Sequence, residues 1–291
     1  MSLRLFLTVL ERGSLTAGAE HFGISAPATS RRIAELEGRV GAALLDRSAR
    51  GVVATPAGQI LRQHAIEVVA RMQQLAIAME DVSRGVDGHV RVWANSSACS
   101  GFLPNVLSEF LQRFPQTNVD LEEAESVDAI RALRSGAADI AVVGENTERE
   151  RLESYRCFSD ELVLVIPRQH RLYGRPSVPF DEALDYDYVG LPRTTSLMRH
   201  ISTETERIGR SFRVRVQVRS FDAMCRMVAA GVGLCILPKA SAQAHVRSMH
   251  LHALKLEGVD TTRVLLVVVR SIEGLIDQGR TLVDLMVRQG I

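Results

Sequence analysis

The sequence lacks several features that would assign the protein to a membrane or to an oxidising compartment. It has no run of about 18 apolar residues, so no transmembrane helix is expected. The apolar patch at the N-terminus is broken by Arg4, Glu11 and Arg12 and is too short for a signal peptide. The four cysteines are widely spaced, without a C-x-x-C pair or a metal-binding pattern. We therefore expect a cytoplasmic protein with reduced thiols and no bound metal.

Catalytic motifs are also missing. The sequence contains no P-loop, no G-x-S-x-G, no H-E-x-x-H and no paired-carboxylate motif. His250 and His252 alternate on a predicted strand without a third metal ligand nearby. Cys225 and Cys235 lie in apolar stretches typical of inert buried thiols, whereas Cys99 follows a polar segment and is the more interesting thiol. These absences favour a binding protein over an enzyme.

An excess of one charge sign is missing as well, since the formal net charge is +1. Residues 1–60 nevertheless contain seven arginines, five acidic residues and no lysine. So small a surplus does not by itself indicate nucleic-acid binding. Whether this region binds nucleic acid must therefore be judged from the positions of its arginines.

Three short helices are predicted at the N-terminus. The first carries apolar residues at helical spacing, namely Leu3, Phe6, Val9 and Leu10. Ser14 is a suitable N-cap for a second helix over residues 15–22, and Ser25 for a third that ends near Val40. Gly23 fits the left-handed position that closes a helix. Two helices joined by such a turn form a helix-turn-helix pattern.

The third helix has two different faces. At 100° per residue, one set of side chains should pack inward: Thr29, Ile33, Leu36 and Val40. Pro27 and Arg31 lie on the opposite face, which suits a helix in the major groove with Arg31 bound to guanine. Ser25, Ser30 and Arg32 are better placed for phosphates. A solvent-facing helical hairpin is the alternative interpretation.

A hairpin and a long helix are predicted next. Two extended runs flank residues 48–51 and predict a wing with Arg50 at its tip, which suits a minor groove. Pro56 can open a long helix whose apolar residues recur in steps of four and three: Leu61, Ala65, Val68, Met72, Leu75, Met79 and Val82. This heptad pattern predicts a coiled coil that dimerises the protein. An amphipathic helix packed on its own domain remains the alternative.

From Val90 onward, short β-rich runs alternate with helices, a pattern typical of parallel, doubly wound α/β sheets. The length of this region suggests two lobes, with crossing strands at 161–167 and 263–270. Ligands in such folds bind in a crevice at the carboxyl ends of strands.

Five residues are candidates for effector binding at that crevice. Ser96 and Ser97 follow the first strand, where their hydroxyls and the helix N–H groups would suit a carboxylate or another anion. Ser126 and Thr195 hold analogous positions before later helices, and Phe221 would supply an apolar or aromatic wall. Each serine or threonine could instead be only a helix N-cap.

The N-terminal residues resemble the DNA-binding domain of LysR-type transcriptional regulators. The similarity rests on an ordered set of motifs: a GS helix start, S-x-P-A-x-S-R from Ser25, G-x-x-L-L-x-R from Gly41 and T-x-A-G from Thr55. The stretch MVAAGVGLCILP also matches an element of the family's effector domain. One departure is Ala26, where the family usually has Gln, so the base preference is expected to differ.

The resemblance implies a fold and a function. It implies an α/β protein with a winged helix-turn-helix (1–58), a linker and dimerisation helix (59–88) and a two-lobed, periplasmic-binding-protein-like effector domain (89–291). Lobe one would comprise residues 89–163 and 267–291, and lobe two residues 164–266. It also implies a dimer or tetramer that binds promoter DNA, RNA polymerase and a small-molecule effector, without a cofactor. The effector is expected to be a carboxylate or an aromatic acid.

Two other function classes remain open. A solute-binding or sequestering protein would use its N-terminal helices only for assembly, and promoter-specific DNA binding would exclude it. An enzyme on the two-lobed fold would turn over a bound metabolite.

Overall fold

A computed structural model describes residues 2–48, 51–84 and 88–290. The chain divides into two compact units, one built on residues 1–80 and the other on most of residues 81–291. The N-terminal unit contains α1 (Ser2–Arg12), α2 (Leu15–His21), α3 (Ala26–Val40), β1 (Leu45–Ser48), β2 (Gly51–Ala54) and α4 (Pro56–Arg84).

The caps of the helix-turn-helix are those that the sequence predicts. The Ser14 hydroxyl accepts a hydrogen bond from the Ala17 amide at the start of α2, and the Ser25 hydroxyl accepts one from the Ala28 amide at the start of α3. Gly23 lies in the left-handed region at φ 61°, as predicted for the turn after α2. Gly41, which the sequence analysis did not single out as a cap, ends α3 in the same region at φ 75°. Local sequence therefore sets the boundaries of both helices.

The inward face of α3 is confirmed except at its end. Thr29 and Ile33 are fully buried, and Leu36 packs against the core formed by α1, α3 and the wing. Val40 is 47% exposed, so its expected inward position is wrong. It is the last helical residue before the Gly41 cap.

The wing is an antiparallel β1–β2 hairpin anchored by two close backbone approaches. The Val52 amide donates to the Gly13 carbonyl at 2.9 Å. The Thr55 hydroxyl donates to the Ala43 carbonyl and accepts from the Gly58 amide. A Cβ at residue 58 would lie only 2.0 Å from the Leu44 carbonyl oxygen. The T-x-A-G motif thus joins the wing to α4.

Helix α4 is long and carries exposed apolar residues. Val68, Met72 and Leu75 are 44%, 59% and 64% exposed in the single chain, whereas Ala65 is buried. The side chains of two further residues of the predicted heptad pattern, Met79 and Val82, lie outside the described part of the structure. The visible stripe is therefore unpartnered within the described residues of the N-terminal unit.

The second unit alternates strands and helices through most of its length. Its first half contains β3 (His89–Ala94), α5 (Ser96–Ser100), α6 (Leu103–Arg113), β4 (Asn118–Glu123), α7 (Ser126–Ser135), β5 (Ile140–Gly144), β6 (Glu153–Pro167), β7 (Ser177–Pro179) and α8 (Phe180–Ala183). Its second half contains β8 (Tyr188–Gly190), α9 (Ser196–Arg207), β9 (Val214–Gln217), α10 (Phe221–Ala229), β10 (Cys235–Pro238), α11 (Lys239–Ser248), β11 (Leu251–Glu257), β12 (Thr262–Val269) and α12 (Asp277–Arg288).

The sheets are mixed and not purely parallel, which corrects the expectation of doubly wound parallel sheets. An eight-stranded sheet has the order β4-β3-β5-β12-β6-β11-β7, with β10 also paired to β6. Strand β3 runs parallel to β4 and β5, but β12 is antiparallel to both β5 and β6. Hydrophobic periodicity does not reveal strand direction, because a strand has the same period in either orientation.

Strand β6 belongs to both lobes. Its first part, to Glu161, pairs with β12, and its second part pairs with β10 and β11. Strand β12 pairs with lobe-one strands along its whole length, which differs from the expected lobe boundary at 266/267. Helix α12 begins at Asp277, after residues 271–276, which form a turn segment.

Gly58→Ala should destabilise the N-terminal unit by about 1–3 kcal/mol, because the new methyl group meets the Leu44 carbonyl oxygen. Gly38→Ala is the matched control: residue 38 is in the interior of α3 with nothing within 4 Å of an added Cβ, so stability should rise by up to about 1 kcal/mol. Urea unfolding followed by circular dichroism measures both. Equal effects of the two changes would contradict the close approach.

Candidate DNA interface and effector crevice

The outward face of α3 presents a single guanidinium above small side chains. Pro27 and Arg31 are exposed, and Arg32 is half-buried on the flank. Ser25 is exposed, but its hydroxyl already caps α3. The Ser30 hydroxyl accepts a hydrogen bond from the Arg47 guanidinium at 3.1 Å. Arg31 is therefore the residue of this set best placed to reach a base.

The wing is held against α3 by a residue that the sequence analysis did not single out. One Glu37 carboxylate oxygen accepts from the Leu44 and Leu45 amides at 2.8 and 3.2 Å. Its other oxygen lies 4.0 Å from Arg47 of β1. These contacts fix the start of β1 relative to α3. Arg50, the expected minor-groove residue, lies outside the described residues.

The crevice between the lobes of the second unit is built around Arg263, at the start of β12. Its Nη1 donates to the Ser97 hydroxyl of lobe one at 2.8 Å, and its Nη2 donates to the Ser196 hydroxyl of lobe two at 3.1 Å. Arg263, Ser97 and Ser196 are 5%, 6% and 4% exposed. One buried guanidinium thus bridges the two lobes.

The side-chain partners that the structure gives this guanidinium are neutral hydroxyls. Among the described residues, none places a carboxylate oxygen within 4.0 Å of it. Asp160 is its partner across the β6–β12 pairing, but the Asp160 carboxylate accepts from the Ala240 and Glu161 amides. Burial lowers the pKa of Arg263 to about 10, an effect opposed by the charge of Asp160. The side chain is still a cation at neutral pH.

Three strand ends meet beside this bridge. The Ser126 hydroxyl, at the start of α7, accepts from the Asn95 side-chain amide at 3.4 Å and from the Gly144 amide at 3.3 Å. Asn95 also caps α5 through the Ala98 amide. The carboxyl ends of β3 and β5 and the segment after β4 are therefore tied together, as the fold predicts for a crevice edge.

The two lobes meet through small groups. A Cβ at residue 144 would lie 2.8 Å from Ser196 Cβ, so Gly144 permits the close approach of β5 to α9. The Asn146 side-chain amide donates to the Ser196 carbonyl at 3.1 Å. The Ser100 and Ser241 hydroxyls lie 2.8 Å apart. The lobes are thus in direct contact across the crevice, and this arrangement is called closed below.

The predicted effector residues have different surroundings. Ser97 and Ser126 belong to the buried polar cluster described above. The Ser96 hydroxyl instead donates to Glu123 at 2.5 Å. Thr195 caps α9, accepting from the Met198 amide and donating to the Pro192 carbonyl. Phe221 is 5% exposed in the lobe-two core, so its ring offers little surface in this conformation.

Sequence reasoning missed Arg263, whereas Asn95 and Ser196 lie in the polar segments before α5 and α9 that it predicts at the crevice. Arg263 opens a strand with an apolar interior, and a charge at a strand start usually marks only solvent. Its burial depends on helices contributed by distant segments, which no local pattern reveals.

Metal and membrane sites do not appear among the described residues. None of them forms a group of three or more side chains that would hold a metal ion. No helix among those described has the length and apolar character to span a membrane.

Comparisons with known proteins assign the family. Residues 1–59 match the model for the bacterial regulatory helix-turn-helix protein, lysR family, and residues 83–290 match the LysR substrate binding domain. A probable RuBisCO transcriptional regulator of Trieres chinensis is 24% identical over 274 residues, covering 91% of this chain and 89% of the relative.

Solved structures agree on the fold. Full-length CbnR complexed with its target DNA superposes with a TM-score of 0.76 at 19% identity, covering 99% of each chain. The regulatory domain of Synechocystis PCC6803 CcmR in complex with 2-PG has a TM-score of 0.64 at 21% identity, covering 69% of this chain and 97% of that one. The chain belongs to the LysR family of regulators. It is a DNA-binding transcriptional regulator with an effector-binding domain.

Cys99 should react slowly in the folded protein. Burial, followed by the charge of Glu123, raises the pKa of its thiol to about 12, so the thiolate fraction at pH 8 is lower than that of an ordinary thiol by roughly a thousandfold. Its alkylation by iodoacetamide, followed by peptide mass spectrometry, should keep rising with pH beyond 9. The same cysteine in guanidinium chloride is the control. Rapid modification of Cys99 in the folded protein at pH 7 would contradict a raised pKa for its thiol.

Proposed function

We propose that this chain is a sequence-specific regulator in which α3 enters the major groove and a small molecule bound between the lobes controls DNA binding. The observation that carries the control function is the buried polar bridge between the lobes. Ligand binding at such a bridge would change the relative population of lobe arrangements. The domain limits 1–58, 59–88 and 89–291 are part of this proposal.

In the DNA complex, Arg31 would bind guanine and Pro27 would supply shape against the base edges. Ser25 and Ser30 would contact phosphates together with Arg32. The exposure of Arg31 and Pro27 supports the base-reading role. The Arg47–Ser30 hydrogen bond suggests that the wing also orients the phosphate-facing side of α3. Arg50 would enter a minor groove.

A homodimer joined through α4 would cover the apolar stripe of Val68, Met72 and Leu75. A surface groove of about 540 Å³, lined in part by Leu7, Leu10 and Ile66, lies along the same helix and supports an interface there. Paired recognition helices would then meet half-sites about one DNA turn apart. Two such dimers would form a tetramer.

For the effector we propose a carboxylate or an aromatic acid. Ser97 and Ser126 supply buried hydroxyls, and Ser96, Thr195 and Phe221 would border the ligand once the lobes separate. The 2-PG complex of CcmR supports a small-molecule ligand in a domain of this fold. The protein would act without catalysis, in the cytoplasm where promoter DNA lies, and would alter contact with RNA polymerase.

Arg31→Ala should weaken binding to the protein's own promoter DNA roughly tenfold or more, because a bidentate contact to guanine is lost. Arg39→Ala is the matched control, since it removes an exposed charge at the far end of the same helix. Gel-shift titrations at several salt concentrations measure both variants and wild type. Wild-type protein that does not discriminate promoter from random duplex would refute sequence-specific regulation.

Ser97→Ala combined with Thr195→Ala should abolish the stabilisation by a bound effector. Thermal unfolding of wild type in a panel of small carboxylates and aromatic acids identifies the effector, because a ligand specific to the folded state raises the midpoint by mass action. For each protein, the unfolding midpoint with ligand is compared with the midpoint without it. The loss of stability caused by removing the α9 cap is present in both measurements and therefore cancels. Ser108→Ala, on the exposed side of α6, is the control. An unchanged shift in the double variant would exclude this site assignment.

A further inference from the structure

Arg263 is a buried cation, and no carboxylate of the described residues is in contact with it. A guanidinium has five N–H donors and no acceptor. The structure supplies two neutral hydroxyls to its terminal nitrogens. Transfer of a charged group from water to the protein interior is unfavourable unless the charge is paired. A protein that keeps such a charge at a crevice is suited to a ligand that carries the opposite one.

The Asp160 carboxylate does not act as the contacting counter-ion of Arg263. Asp160 is held by the Ala240 and Glu161 amides, more than 4.0 Å from the guanidinium. Burial raises the pKa of the Asp160 carboxyl, so it is a weaker acid than an exposed aspartate. Its field offsets part of the cost of the buried cation, but it makes no direct pair.

We infer that Arg263 recognises an oxyanion, a carboxylate or a phosphate, on the effector of this regulator. This inference rests on the proposed effector function of the crevice. The Ser97 and Ser196 hydroxyls occupy the positions that two oxygens of the anion would take. When the lobes are closed, these two hydroxyls would bind Arg263 in place of the ligand.

The geometry of the guanidinium suits this role. Both terminal nitrogens face the crevice, one towards each lobe, and a planar fork of this kind binds the two oxygens of a carboxylate or phosphate in parallel. Charge-assisted hydrogen bonds are stronger than those to neutral hydroxyls. An entering anion would therefore displace the serine hydroxyls from Arg263.

Ligand entry is coupled to lobe separation. Arg263, Ser97 and Ser196 are all less than a tenth exposed, so an anion reaches them only when α5 and α9 move apart. The contacts that must break are small, including the Ser100–Ser241 pair and the approach of Gly144 to Ser196. An anion that binds the opened crevice shifts the population away from the closed arrangement.

The test uses the full-length protein and four probes at constant ionic strength: acetate, benzoate, benzamide and inorganic phosphate. Benzamide matches benzoate in shape without its charge. Midpoints of thermal unfolding are recorded against probe concentration to give an apparent Kd. The variants are Arg263→Gln, which removes the charge, and Arg263→Lys, which keeps it without the fork. Arg131→Gln, an exposed arginine of α7, is the matched control.

Wild type and Arg131→Gln should bind at least one of the three anions and respond little to benzamide. Arg263→Gln should raise the apparent Kd for that anion about tenfold or more, and Arg263→Lys should restore part of the loss. Comparison of acetate and benzoate with phosphate identifies which oxyanion the crevice prefers.

Three results would overturn the inference. They are anion binding by Arg263→Gln equal to wild type, equal binding of benzamide and benzoate, and no stabilisation of wild type by any of the three anions. If Arg263→Gln does not fold, the comparison of benzoate with benzamide on the wild-type protein still tests whether the crevice recognises an anion. A neutral effector found in a wider screen would leave the proposed regulator function intact and refute only the role of Arg263. Loss of promoter specificity would instead refute the proposed function.

Discussion

The two lobes of the effector domain depend on the continuous backbone pairing of one strand. Strand β6 bonds to β12 in its first part and to β10 and β11 in its second, so no flexible linker separates the sheets on this side. Asp160 and Arg263 face each other near the point where the pairing changes. A change in lobe orientation must therefore bend a hydrogen-bonded strand next to the buried guanidinium. The proposed ligand contact and the hinge between the lobes would therefore lie at one place in the fold.

The same arrangement explains why small residues surround the crevice. Gly144 and Ser196 approach so closely that a methyl group would not fit between them. The Ser100 and Ser241 hydroxyls are within hydrogen-bond distance of each other. Lobes that met through large apolar side chains would gain more burial and resist opening. Contacts of this size cost little to break, which would favour the proposed population shift between lobe arrangements.

The helices and turns of the N-terminal unit could be predicted from sequence because they depend on interactions between residues close together in the chain. Ser14, Ser25 and Gly23 act within a few residues of their positions in the chain, so caps and turns could be identified without tertiary information. The predicted burial of Val40 was wrong, because helical periodicity gives the face of a residue but not whether another element covers that face. In the second unit, strands were recognisable but their directions were not. Arg263 was missed because segments more than sixty residues away bury it.

The apolar stripe on α4 has a consequence for how the protein behaves in solution. Val68, Met72 and Leu75 expose about half of their surface in a single chain, and such surface favours association. If folding of this helix is completed by a second copy, its stability is a function of protein concentration and not of sequence alone. Dilution would then weaken the N-terminal unit before it affected the lobes. The amount of regulator in the cell would itself become a variable that sets how much of it can hold DNA.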